Sequence, residues 1–234
     1  MVAVVDGTQL SRTLATAALF ARTLVRALRD SNATVDLLLG EELTSVGRMR
    51  SLVPLLEATE EGQAILRERP RGCDLDVAAL RSLAHGTLGR AYADHLARCG
   101  LDPQALGVPV TRGSTPLDNY LLERVRQTHD LWHTVLGLGT AGYEEVLVHA
   151  FQWPQLGMPY SALVVGFGTP KHFALEGRYR LAVTALPEAV RAGREAAPLL
   201  AYYWERHLHE PLADVRRALR VRPAREWRGI DEAV

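Results

Sequence analysis

Apolar residues recur at helical spacing along most of the chain. From Thr8 to Arg29, Leu10, Leu14, Leu19, Leu24 and Leu28 alternate with Arg12, Arg22, Arg26 and Arg29, which predicts an amphipathic helix. A second helix is predicted over Leu52 to Arg67, and a short third over Val77, Leu80 and Leu83. Leu88, Tyr92, His95 and Leu96 keep the i, i+4, i+7, i+8 pattern, and Gly100 stands where a helix C-cap belongs. Residues 101–113 hold Pro103, Pro109 and two glycines and read as a loop. Ser114-Thr115-Pro116 then reads as an N-cap followed by proline in the first turn.

The helix that starts there carries Leu117, Leu121 and Val125 on one face, and the next members of that stripe are His129, Trp132 and His133. Its two histidines therefore point inward. Pro187 to Leu208 and Pro211 to Leu219 predict two more helices, the last buried through Leu212, Val215 and Leu219. Phe151 to Thr184 is rich in glycine and β-branched residues and is open between loop, short strands and apolar helix. The expectation is an all-α fold, one mainly helical domain over residues 1–234, with an irregular apolar segment near 151–184.

Composition adds little to that picture but excludes several classes. The 234 residues, 47% hydrophobic and 23% charged, suit a globular core. The 27 basic and 27 acidic residues cancel, so no bulk charge favours nucleic acid. Lys171 is the single lysine. Cys73 and Cys99 form no CxxC pair and are too few for a disulfide framework, so a reduced, intracellular setting is expected. No basic start precedes the first apolar run, and neither that run nor SALVVGFG (161–168) has spanning length. The expectation is a protein without signal peptide or transmembrane helix.

The chemistry concentrates in QTHDLWHTVLGLGTAGYEEVL, residues 127–147. On a wheel of about 100° per residue, Asp130 lies near 100° and His133 near 40° from His129. Paired imidazoles on one turn can grip a divalent ion. Asp130 is then a third ligand, or an acceptor that orients a histidine. On an unbroken helix Glu145 would lie about 18 Å beyond His133. Gly137, Gly139 and Gly142 intervene, and glycine permits the positive φ that stops a helix and turns the chain back. A second helix from near Tyr143 would return Glu145 to the histidines. The bland reading is two hydrogen-bonded core histidines. His85, His95, His149, His172, His207 and His209 show no comparable spacing and read as exposed or core residues, His207 and His209 as a helix end. Arg126, four before Asp130, predicts a salt bridge along the helix. Arg67, Arg69 and Arg71 read either as an anion site or as a solvated loop.

The spacing His-Asp-x-x-His-x11-Glu resembles the signature of the coenzyme Q biosynthesis protein 4 family. Leu88-Gly89-Arg90-x-Tyr92, Arg126-x-x-His129-Asp130, GMPYSALVVGFG, AVRAGREA with YYWER, and VRRALRV are similar to further segments of it, from about Leu75 to Val221. Two positions depart: Ala84 replaces an expected proline, and Tyr143-Glu144 stand where glycine usually precedes the glutamate. Glu144 thus competes with Glu145 as ligand, and the spacing favours Glu145.

The resemblance implies a helical, dimeric, peripheral membrane protein that takes a polyprenyl lipid or quinone precursor and organises other quinone-biosynthesis enzymes. It implies a divalent ion on His129, Asp130, His133 and Glu145, with zinc first and magnesium, cobalt or iron as alternatives. It also implies an oxidative decarboxylation at C1 of a prenylated hydroxybenzoate, with Asp130 and Glu145 as its catalytic residues. Three other readings stand beside it. One is a non-catalytic lipid-binding scaffold. Another is a zinc metallohydrolase using HDLWH, in which Asp130 falls about 1.5 Å short of the usual glutamate base. In the third the motif is vestigial and binds no metal.

Overall fold

The computed structural model describes residues 34–174, 176–228 and 230. The helix expected over Thr8 to Arg29 lies outside them. Among the described residues the chain is mainly helical and holds no strand, only an isolated bridge between Thr87 and Pro211. The helices are α1 (Thr34–Ser45), α2 (Val53–Glu57), α3 (Glu60–Glu68), α4 (Val77–Arg81), α5 (Leu88–Cys99) and α6 (Pro116–Leu136). They continue with α7 (Gly142–Leu156), α8 (Pro159–Gly168), α9 (Tyr179–Val183), α10 (Ala185–Glu195) and α11 (Leu212–Ala218). No described helix is long and apolar enough to cross a membrane.

The fold is organised around α6. Of its 21 residues 16 are buried, so it is covered on nearly every side rather than along one stripe. It starts where its side chains dictate: the Thr115 hydroxyl accepts from the Asp118 N–H and Pro116 fills the first turn. Leu88, Tyr92 and Leu96 of α5 belong to the same core, and Trp132 meets Phe151 of α7 edge-on with centroids 6.1 Å apart. Two arginines inside α6 are buried, and each is paired. Arg124 makes a two-pronged bond to Glu205, and Arg126 bonds Glu41 and the Leu38 carbonyl. Arg126 therefore does not pair with Asp130; the inward face of α6 hands it to α1 instead.

Helix α10 lies against α7 at very close range. A Cβ on Gly193 would sit 2.1 Å from the Phe151 carbonyl oxygen, so only glycine permits the approach. Ala185, Ala189 and Ala192 on α10 are buried, and their small size suits such a contact.

Three expected elements differ. The helix expected over Leu52 to Arg67 is two, α2 and α3, preceded by a 3-10 turn over Val46–Leu52. Thr59 breaks it by accepting the Gly62 N–H, and a Cβ on Gly62 would lie 2.1 Å from the Leu56 carbonyl. The helix expected over Pro187 to Leu208 ends at Glu195, because Pro198 disfavours a helical Ala197; 3-10 turns Leu199–Ala201 and Trp204–Arg206 follow. The segment 151–184, expected to be irregular, is largely helical. It completes α7, turns at Gly157 with φ 60°, restarts as α8 at Pro159, and passes through a π-helical turn, Thr169–Ala174, before α9.

Candidate metal centre

The site forms where α6 ends and α7 begins. Gly137 takes φ 73°, which terminates α6, and the N–H groups of Gly137 and Leu138 both donate to the His133 carbonyl, at 2.8 and 3.1 Å. The loop is then held by Glu144, whose carboxylate accepts from the N–H of Gly139 at 2.7 Å and of Ala141 at 3.0 Å. Gly139 and Gly142 are closely overlaid by side chains and do not take positive φ. A Cβ on Gly139 would meet the Glu144 carboxylate at 2.7 Å, and one on Gly142 would meet the His172 ring at 2.1 Å. Helix α7 runs back past α6 and carries Glu145 in its first turn.

This brings three of the four sequence-selected residues together. The Nε2 atoms of His129 and His133 are 3.0 Å apart, and Glu145 Oε2 lies 3.4 Å from the first and 3.5 Å from the second. One ligand atom from each lies within 4.8 Å of the others. The His133 Nδ1–H donates to the Gly139 carbonyl at 2.8 Å. That bond fixes the tautomer, so a neutral His133 presents a lone pair at Nε2. The Glu144 carboxylate is committed to the loop and stays apart from the cluster. Asp130 is buried but is not part of the convergence.

Burial and mutual charge set the electrostatics. Burial raises the Glu145 carboxyl, but when the imidazoles are protonated the positive field of His133 and hydrogen bonds from both histidines outweigh it and hold it well below the usual range. Burial lowers His129, while its bond to Glu145 and the carboxylates of Glu145, Asp130 and Glu41 carry it upward overall. Asp130 is raised, chiefly by burial, against the lowering effect of His129 and His133.

Two histidines that sequence spacing passed over stand beside the cluster. His149 is buried, its ring centroid 5.3 Å from that of His129, and its Nδ1 is 3.2 Å from the Ser161 hydroxyl. Burial first and the charge of His129 next push it down to about 3. His95 stacks on His133 with centroids 5.7 Å apart, and burial lowers it to about 4. Among the described residues its Nε2 is buried without a partner. A signal for His149 was present: it follows Glu145 by four residues, as His133 follows His129. Beside His95 and His133 is a cavity of about 690 Å³, also lined by Arg98, Cys99, Thr140 and Leu212.

Elsewhere, His207 closes the 3-10 turn Trp204–Arg206 and is clamped between Glu61 at 2.6 Å and Glu210 at 2.7 Å. Of the three arginines 67, 69 and 71, Arg69 lies over the Tyr120 ring and Arg71 reaches Cys73, so those two do not meet at one point.

The sequence profile of the family described as coenzyme Q (ubiquinone) biosynthesis protein Coq4 matches residues 7–225. The mitochondrial ubiquinone biosynthesis protein COQ4 of Coprinopsis cinerea is 33% identical over 68% of this chain and 55% of its own length. That of Lachancea thermotolerans is 32% identical over 82% of this chain and 61% of its own, and the Xenopus laevis homologue 34% over 79% and 65%. The chain thus spans about three fifths of the length of these relatives. The fold matches the crystal structure of a candidate ubiquinone biosynthesis protein from Nostoc punctiforme with a TM-score of 0.69 at 21% identity, covering 87% of this chain and 95% of that one. With the family profile matched from one end of the motif-bearing region to the other, the chain belongs to the coenzyme Q (ubiquinone) biosynthesis protein Coq4 family.

Proposed function

We propose that the protein acts in ubiquinone biosynthesis by holding one divalent metal ion between α6 and α7 and working there on the head of a prenylated hydroxybenzoate. The observation that carries this reading is the convergence of His129 Nε2, His133 Nε2 and a Glu145 oxygen within 4.8 Å of one another.

The donor set fits such an ion. His133 is held with its Nε2 lone pair toward the cluster, only 3.0 Å from the Nε2 of His129, and a carboxylate closes the third side. Two imidazoles and one carboxylate form the ligand set of open zinc sites, which keep one position for water or substrate. When bound, the ion supplies a fixed positive charge and Lewis acidity. The chain's own residues do the rest. His129, His133 and Glu145 hold the ion, and Asp130 beside the two imidazoles is the candidate to hold or move a proton. The reaction replaces the C1 carboxyl by hydroxyl: the carboxyl carbon leaves as carbon dioxide, and an oxygen-derived oxidant from outside the protein supplies the new oxygen.

Helix α8 supports the greasy half of the substrate. It carries no charge, and of its ten residues only Ser161 is buried. Phe167 on it and Trp153 on α7 are each 44% exposed, whereas Phe151 and Met158 belong to the core. The polyprenyl tail, and the membrane surface that delivers it, are placed by this proposal along α8.

A strain lacking the protein tests the reading. It should accumulate a prenylated ring that still bears its C1 carboxyl, and the His133→Ala and Glu145→Ala forms at normal levels should fail to restore quinone. Elemental analysis should find the ion lost from the His129→Ala, His133→Ala double variant. If the single variants restore quinone fully, the site is dispensable and the protein serves as a scaffold.

A further inference from the structure

His149 has a role that its own hydrogen bonds define. Ser161, on α8, is fully buried, and among the described residues the only hydrogen-bond contact of its hydroxyl is His149 Nδ1 at 3.2 Å. A buried hydroxyl carries one hydrogen, and leaving it unpaired costs roughly 1–3 kcal/mol. The O–H therefore donates and Nδ1 accepts. Among the described residues no carboxylate bonds the ring, so it is neutral, and its single proton must then sit on Nε2.

Among the described residues that N–H has no protein hydrogen-bond partner, and its nitrogen is not sealed off from the surface, so the tip of an otherwise buried ring stays open to a bound molecule. The ring is 7% exposed and lies between His129, at 5.3 Å, and Tyr160, at 5.5 Å centroid to centroid. It follows Glu145 by one helical turn, so it borders the space around the three converging donors. A protonated Nε2 cannot be a fourth metal ligand.

We infer that His149 donates its Nε2–H to an anionic oxygen of the molecule held at the His129–His133–Glu145 cluster, so that the site selects a carboxylate or phenolate oxygen there. The inference rests on the metal reading above and assigns a group that touches the ligand rather than the ion. Ser161 is the positioning residue: it acts through His149 by fixing the tautomer.

The test uses the full chain loaded with zinc and 4-hydroxybenzoate as probe, followed by calorimetry. His149→Phe should weaken the probe about tenfold or more, the range for a lost hydrogen bond to a charged group, with zinc stoichiometry unchanged. His149→Gln, which keeps an N–H donor near the same position, should recover most of the affinity. Ser161→Ala should fall between. Two-bond proton–nitrogen NMR should find the His149 proton on Nε2 in the wild type. A proton on Nδ1, unchanged probe affinity in His149→Phe, or loss of zinc in His149→Gln overturns the inference. Wild-type protein that takes zinc but no 4-hydroxybenzoate also overturns it and leaves the metal reading standing. Wild-type protein that takes no zinc overturns the metal reading and this inference with it.

Discussion

Gly193 and Gly166 offer the same chemical change with opposite expected signs. At Gly193 an added Cβ would lie 2.1 Å from the Phe151 carbonyl oxygen and 2.9 Å from Pro154 Cγ. Real contacts of this kind do not close below 3.0 Å, so α10 must back away from α7 by about 1 Å. Neither neighbour is a flexible side-chain end that can swing aside. Overpacking of this sort costs about 1–3 kcal/mol. The helix-propensity gain of alanine over glycine is at most about 1 kcal/mol, and less in a last turn, so the clash wins. Gly193→Ala should therefore destabilise by about 1–2 kcal/mol.

At Gly166, in α8, nothing lies within 4 Å of the added Cβ. Only the propensity gain remains, so Gly166→Ala should stabilise by about 0.5–1 kcal/mol. Urea unfolding followed by far-UV circular dichroism should separate the two midpoints by roughly 1 M. A Gly193→Ala midpoint at or above the wild type, with unchanged slope, would refute the close-approach argument. Helix α7 also carries Glu145, so the same variant should bind the ion more weakly.

Other outcomes follow from single contacts. Arg124 is fully buried against Glu205, and Arg124→Ala should cost about 3–5 kcal/mol in thermal or urea unfolding because it strands that carboxylate. Burial lowers His207, but its bonds to Glu210 and Glu61 outweigh burial and leave it raised above 6.5. The stability it adds is complete below about 6.5 and is lost as pH rises through its folded value, so the gap between wild type and His207→Phe should shrink as pH is raised above about 6.5. Arg216 donates to the Val135 carbonyl at 2.7 Å and reaches that of Thr134, closing the C-terminal turn that bears His133. Arg216→Ala should lower stability by about 1 kcal/mol and weaken metal binding, whereas Arg217→Ala, on an exposed pair with Asp214, should do neither.

Where an element is set by its own ends, the sequence was enough. Thr115-Pro116 opens α6, and Gly100 and Gly137 close α5 and α6 in the left-handed region, because capping uses atoms within a few residues of the cap. Elements set by distant partners were not legible. The break between α2 and α3 depends on Gly62 pressing against the Leu56 backbone, and an apolar period reads straight across it. In 151–184 the apolar run lacks the polar face that would give a period. Its local punctuation, Gly157 as a C-cap and Pro159 at the next first turn, was the usable signal.

At the site the division follows the same physics. The i, i+4 histidines and the glycine turn are local, and they brought His129, His133 and Glu145 onto one short list. The choice between Glu144 and Glu145 is local too: Glu144 stands three residues after the N-cap Ala141 and satisfies the N–H groups of Gly139 and Ala141, which leaves Glu145 as the acid beside the histidines. The expected Arg126–Asp130 pair failed because a distant partner decided it. The i, i+4 salt-bridge rule belongs to exposed helix faces, where both ends stay in water. On a helix buried nearly all round, a charge needs a partner that comes in from another element, and α1 supplies Glu41 to Arg126. Asp130 is thereby left free of Arg126, and the positive groups that act on its carboxyl are the two imidazoles of the cluster.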